Sequence, residues 1–372
     1  MEDGTGRPIF VVGSPRSGTS ILTWCLGQHP NIIPLEESDW MGDFAIDLAI
    51  YHQLGTSRGD YSLLSSMDVK KAEFFAVFGE TINDLILHHH VELARKRWRL
   101  AAGPKTPDDH FATEFKAKGR WVDGTPEYSF YICGLRKLFP DALFIHIFRD
   151  VTSVVRSMLH FHQVSGASLV ANEQEAYDYW LRTVTSCLLA ERAYGPRVVL
   201  RLRHSDLVEN PEAALQSVFS FLDEPYAPEC LTPLGQRINS SNVPVGFKID
   251  LRKTDPTLIE QATSLSRQAE ESSQPLEASL AAVEEIEAVF DERAQFVATL
   301  SGEYRKALQK IAVLKEKNQK LTAQAEKLAK EIKEKKAVIQ DLRTAGHHYK
   351  WLRSSFRALH ETFRRGPRGD ES

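Results

Sequence analysis

The chain has 372 residues, 42% of them hydrophobic, and 46 Lys+Arg against 50 Asp+Glu give a formal net charge of −4. That is enough apolar material for one substantial α/β domain with extensions, and the slight negative balance excludes a wholesale nucleic-acid binder. No apolar run approaches the roughly 20 residues of a membrane span, no export signal is evident before Ile9, and the four cysteines form no C-x-x-C pair, so no zinc site or disulfide framework is expected and a reducing cytoplasm fits best.

The first predicted element is Ile9 to Val12, a β-branched and aromatic run ending at Gly13. The loop "GSPRSGTS" follows, and the segment from Ser20 to Gln28 can form a helix, so the order reads strand, glycine loop, helix. Gly13, Gly18 and Ser20 stand where the P-loop pattern G-x-x-x-x-G-K-[ST] has its glycines and its hydroxyl, but Thr19 replaces the lysine. Such a loop still turns backbone N–H groups and a helix N-terminus toward one phosphate, beside the hydroxyls of Ser17, Thr19 and Ser20. Without the lysine, and with no acidic strand end evident for Mg²⁺, it is poorly equipped for a triphosphate. Arg16 supplies a cation inside the loop, next to whatever is attached to the bound phosphate. These features suit a nucleotide whose leaving group is its own 5′-phosphate, which is the chemistry of a sulfuryl donor.

Farther along, "AEFFAVFGETINDLILHHHVELARKRW" predicts a long helix in an insertion on the substrate side. Its His88, His89 and His90 are consecutive, so on a helix they point in different directions and do not converge on a metal. A second strand is predicted over 142–148, "ALFIHIF", ending at Arg149 and followed by the helical "DVTSVVRSMLHFH". A third is "RVVLRLRH", 197–204. Near-continuous apolar strands separated by helical segments indicate a mainly parallel sheet, P-loop-like, flanked by helices on both faces.

After about residue 258 the composition turns to Ala, Glu, Gln, Lys and Leu. From Tyr304 a heptad is regular, with Tyr304, Ile311, Asn318, Ala325, Ile332 and Ile339 at a and Ala307, Leu314, Leu321, Leu328, Lys335 and Leu342 at d. The expected division is a catalytic domain over 1–258, a helical linker over 259–303, a coiled coil over 304–345 and a basic amphipathic tail over 346–372. Asn318 at an a position favours a parallel homodimer, the alternative being a single solvated helix. The tail mixes Tyr349, Trp351, Leu352, Phe356, Leu359 and Phe363 with Arg353, Arg357, Arg364, Arg365 and Arg368, a composition that suits an anionic membrane surface or a partner's groove.

On these residues the chain resembles the family of sulfotransferases that use 3′-phosphoadenosine 5′-phosphosulfate (PAPS). "GSPRSGTS" is similar to that family's 5′-phosphosulfate loop, which assigns Pro15, Arg16, Ser17, Gly18, Thr19 and Ser20 to the donor. "LFPDALFIHIFRDVTSVVRSM" resembles its 3′-phosphate segment, where an arginine at a strand end and a serine eight residues later, here Arg149 and Ser157, hold the 3′-phosphate. A strand-end arginine and a serine two turns into the next helix can both reach one phosphate at the sheet edge. The resemblance covers roughly residues 7 to 245 and leaves the coiled coil unexplained.

"QHPNIIPLEESDW" is similar to the base-bearing stretch of the tyrosylprotein branch, which implies Glu37 as catalytic base, with Glu36 as its competitor. Many bacterial relatives have Asp-Lys-Thr-Pro before the second strand, whereas this chain reads "VDGTP" with Gly124 in place of the lysine. Lys105, in "GPKTP", is the candidate replacement, and Arg16 carries the role if Lys105 does not. "RVVLRLRHSDLVENPEAALQSVFSFLD" resembles the strand and helix that close that fold and "LGQRINSSNVP" a segment near the donor, which makes Arg203, Arg237, Ser240 and Ser241 further candidates for donor contact. The resemblance implies PAPS as co-substrate without a metal, and an acceptor hydroxyl expected on a carbohydrate or glycolipid. The expected location is the cytoplasm, peripheral to the inner face of the membrane. Two other readings stay open at this point: a P-loop kinase or NTPase, and an inactive sulfotransferase-like scaffold served by its coiled coil.

Overall fold

The computed structural model describes residues 6–102, 116–235 and 243–364 except 245, 251 and 253. Lys105, Arg237, Ser240 and Ser241 lie outside the described residues.

The sheet has five strands, β1 (Ile9–Val12), β2 (Ile32–Pro34), β3 (Arg120–Asp123), β4 (Leu143–Phe148) and β5 (Val199–Arg203), in the spatial order β2-β3-β1-β4-β5. Every pairing is parallel, with β1 against β4 in the register Ile9↔Leu143 to Val12↔His146. Central parallel strands are covered on both sides, which is why "IFVV" and "LFIHIF" carry no polar alternation. The two-residue period then divides their side chains between two cores. Phe10, Val12 and Phe144 enter one, where Phe10 stacks on Phe144 at 5.3 Å and meets Trp121 edge-on at 5.4 Å. Ile9, Val11, Ile145 and Ile147 enter the other.

The second core is roofed by α1 (Thr19–Gly27) and α8 (Pro211–Leu222). The first is roofed by α2 (Trp40–Thr56), α3 (Lys71–Ala102), α4 (Ile132–Leu138) and part of α6 (Glu173–Tyr194). In a third cluster, α5 (Val151–Leu159) and α9 (Pro256–Glu271) pack with α6. A short helix, α7 (His204–Glu209), leaves the end of β5.

Residues 259–303, expected as a linker, are in part packed onto this domain. In α10 (Leu280–Arg364), Ala282, Ile286, Phe290 and Ala294 recur every four residues and are buried in the first core. Lys137 and Lys71 pair with Glu287 and Asp291 on the same turns. The compact unit accordingly runs to Ala298, and Thr299–Ser372 forms a second unit. Within that unit the predicted a and d residues Ile311, Leu314, Leu321, Leu328, Ile332 and Ile339 are about half exposed along one helix. Among the described residues no helix is long and apolar enough to cross a membrane.

One buried polar network fixes the strand ends. His146 on β4 shares a 2.5 Å hydrogen bond with Glu191 on α6, and Arg201 on β5 grips the same carboxylate through Nε and Nη2. Arg201 Nη1 also donates to the carbonyls of Ala269 and Ser272 at the end of α9. Burial alone would press the His146 imidazole down, but Cys187 and Glu191 hold it above its ordinary value, so a charged cluster joins β4, β5, α6 and α9. Arg149 leaves the sheet three residues after His146.

Candidate active site

The loop after β1 is built around two glycines in conformations that side chains resist. Gly13 has φ +152° and a Cβ there would lie 2.5 Å from the Ile147 carbonyl oxygen; Gly18 has φ +110° and sits against His204 and Ile147. Gly13 N–H donates to Ser129 Oγ at 2.8 Å, which pins the loop to the segment before α4. Arg16 adopts φ +70°, an uncommon left-handed conformation for a residue with a side chain. Gly18 precedes α1 with no side-chain cap, so the first-turn N–H groups of that helix are left for a ligand. Ser14 Oγ and Ser17 Oγ are buried in the same loop without a hydrogen-bond partner. Unsatisfied hydroxyls at an uncapped helix start fit a phosphate oxygen that completes them.

The second motif converges on the first. Arg149 Nη1 donates to the Arg16 carbonyl oxygen at 3.0 Å, and Arg16 Nε donates to Ser157 Oγ at 3.2 Å. The Arg16 guanidinium also lies 4.6 Å from the centre of the Phe161 ring. Arg16, expected beside the group attached to the 5′-phosphate, thus bridges the loop to the Arg149–Ser157 pair. Burial and then the neighbouring Arg149 press the Arg16 guanidinium below its ordinary value, with Glu37 acting against them. Burial does the same to Arg149. Two crowded, part-buried cations are relieved by a polyanion, which the paired phosphates of an adenosine 3′,5′-bisphosphate would provide.

Glu37 reaches the loop from the other side, accepting a 2.6 Å hydrogen bond from Ser20 Oγ. Ser20, assigned to the donor, therefore faces the carboxylate, and it is Glu37 rather than Glu36 that is linked to the loop. The neighbouring backbone is held by β3. Thr125 donates through N and Oγ1 to Asp123 Oδ1 at 2.9 and 2.6 Å, and Ser38 N donates to Thr125 Oγ1 at 2.7 Å.

Asp123 corrects the expectation that no acidic strand end is present, because β3 is only four residues long and escapes periodicity. Burial above all pushes its carboxyl up to about 6; Thr125 pulls it down and Glu37 adds a smaller push upward. Its Oδ1 holds the Thr125 turn that carries Ser38, while Oδ2 is buried without a hydrogen-bond partner. Gly124 explains the missing lysine. A Cβ there would fall 2.0 Å from Thr23 Oγ1, which donates to the Thr19 carbonyl at 3.0 Å, so any side chain at 124 displaces α1 or Thr23.

His204, at the end of the third predicted strand, carries no site signal in the sequence. Its ring stands beside Gly18, and burial, then Arg149, push its pKa down to about 4, so it is neutral at physiological pH. With Arg149, Ser153, Arg203 and Ser205 it lines a cavity of about 140 Å³ at the carboxyl ends of β4 and β5. Arg203 there donates to the Glu270 carbonyl at 2.6 Å. On α3, His88 and His89 meet ring to ring at 82°, and among the described residues no group of three or more His, Cys, Asp or Glu is placed to hold a metal ion.

Residues 8–228 match the sulfotransferase family. A protein-tyrosine sulfotransferase homologue of Caenorhabditis briggsae is 23% identical over 223 residues, covering 60% of this chain and 68% of the other. Protein-tyrosine sulfotransferase A of Caenorhabditis elegans is 24% identical over 249 residues, and the match spans 65% of this chain but only 58% of that relative. The sulfotransferase domain of the Synechococcus PCC 7002 olefin synthase aligns with a TM-score of 0.38 at 19% identity, over 77% of this chain and 96% of that domain.

Proposed function

Because the chain belongs to the sulfotransferase family, whose enzymes use PAPS, we propose that it moves the sulfuryl group of PAPS to a hydroxyl on a carbohydrate or glycolipid, with Glu37 as base. The observation that carries the donor half is the convergence of Arg16, Arg149 and Ser157 on the uncapped loop before α1. The first-turn N–H groups of α1, with Ser14 and Ser17, would hold the 5′-phosphate, and Arg149 with Ser157 the 3′-phosphate. In the transfer, the acceptor oxygen forms a bond to sulfur as sulfur leaves the bridging oxygen of the phosphosulfate. The acceptor proton passes to Glu37, and the bridging electrons leave with adenosine 3′,5′-bisphosphate. Arg16 offsets the charge that gathers on that bridging oxygen; Lys105 is the candidate for a second cation.

The acceptor class rests on the bacterial character of the resemblance and on the tail, which suits an acceptor at a lipid surface. Incubation with PAPS labelled on sulfur and a panel of glycans, glycolipids and tyrosine peptides is expected to label a carbohydrate-bearing acceptor. Labelling confined to tyrosine peptides would replace this acceptor class. Donor binding with no transfer to any member would instead support the scaffold reading, which Gly124 favours. We also assign residues 304–342 to a parallel homodimer seam. Sedimentation equilibrium of the full chain is expected to give twice 42.0 kDa, and a chain ending before Tyr304 the mass of one copy.

A further inference from the structure

The last turns of α10 carry an exposed face with a partner chemistry of its own. Tyr349, Leu352, Phe356 and Leu359 are spaced by three, four and three residues, so they share one side of the helix. They are 78%, 47%, 72% and 58% exposed. Lys350, Arg353 and Arg357 each follow a residue of this row by one position, which sets a cationic row about 100° round the helix. Between 343 and 360 the charged residues are Arg343, Lys350, Arg353 and Arg357, with no Asp or Glu among them. Trp351, 65% exposed, stands outside both rows.

The row overlaps the coiled-coil seam only in part: the extended heptad puts Tyr349 and Phe356 at d, but Leu352 and Leu359 at the flanking g positions. Extending that heptad puts Gly346, Arg353 and His360 at the a positions, so the seam loses its a-side apolar residues where the new row begins. A purely electrostatic polyanion would leave Leu352, Phe356 and Leu359 in water, whereas a lipid surface covers them and its headgroups answer the cationic row. The phenol of Tyr349, at the end of the row, suits the headgroup level of such an interface.

We propose that residues 343–360 of α10 dock on an anionic membrane surface, the apolar row inserted below the headgroups and Lys350, Arg353 and Arg357 paired with lipid phosphates. This inference is independent of which acceptor the catalytic domain uses. Each cation near such a surface contributes about fivefold in partitioning, a contribution that falls with salt.

The test uses the full chain and sedimentation with vesicles of phosphatidylcholine, either pure or containing about 30% phosphatidylglycerol. Binding is expected only to the anionic vesicles and is expected to weaken as salt rises. R353Q/R357Q is expected to weaken it about tenfold or more, and F356S/L359S to abolish it. Both pairs are solvent-facing, so helicity by circular dichroism and binding of adenosine 3′,5′-bisphosphate should be unchanged, which separates a failed tail from a failed catalytic domain. Equal binding to neutral vesicles, no binding by the wild type, or retention by F356S/L359S would overturn the proposal. A fall of F356S/L359S to the mass of one copy would also overturn it, because the apolar row would then cover a second chain.

Discussion

Replacing Arg149 by alanine is expected to weaken binding of adenosine 3′,5′-bisphosphate by roughly 30- to 150-fold, the equivalent of about 2–3 kcal/mol for a lost charge-assisted contact. The affinity for 5′-AMP should change little, because the loop and α1 that would hold a 5′-phosphate remain. The reasoning rests on geometry: Arg149 leaves β4 beside the loop, is part-buried, and has its backbone carbonyl held by Trp180 Nε1 at 3.1 Å. Its removal therefore takes away a fixed cation rather than a mobile surface charge. Calorimetric titration of wild type and Arg149→Ala with both nucleotides reads the effect directly. Equal affinities of the wild type for the two would mean that no 3′-phosphate is recognised at Arg149 and Ser157, and the donor assignment would fall.

The second large effect is expected at Glu37. Glu37→Gln keeps an oxygen that can accept from Ser20 but cannot take a proton, so kcat should fall by about 10²–10⁴-fold, the usual contribution of a general base. Binding of the bisphosphate should change far less than kcat, because Gln can still accept from Ser20 Oγ and the charge of Glu37 is the smallest of the influences on Arg16, after burial and Arg149. Single-turnover kinetics with saturating donor separate the two quantities. A kcat within about threefold of wild type would remove Glu37 from the chemistry, leaving Glu36 and Asp123 as the carboxylates to examine.

The parts of the site that depend on chain-local rules were legible. The strand, glycine loop and helix from Ile9 to Gly27, the strand ending at Arg149, and the serine two turns into α5 follow from runs of apolar residues, punctuating glycines and helical spacing. Their convergence follows from the parallel pairing of β1 with β4, which puts both strand ends on one edge of the sheet. The short strands β2 and β3 were not legible, since three or four residues carry no readable period. With β3 went Asp123 and its hold, through Thr125, on the backbone beside Glu37. His204 lacked a signal of its own because its depressed pKa comes from burial and from Arg149, 55 positions away in the chain.

By itself, the order of residues carried the resemblance to the family, the glycine loop without its lysine, the eight-residue spacing of Arg149 and Ser157 and the heptad repeat, because each lies within a short stretch of chain or repeats along one helix. Only the tertiary structure decided where the domain ends. Ala282, Ile286, Phe290 and Ala294 look like ordinary helix residues in sequence, and it is the exposed side of the first core that buries them. It also decided why position 124 holds glycine and why Arg16 turns toward Ser157. Those answers depend on how closely α1 approaches β3 and how near two guanidiniums stand, distances set by packing between segments more than a hundred residues apart.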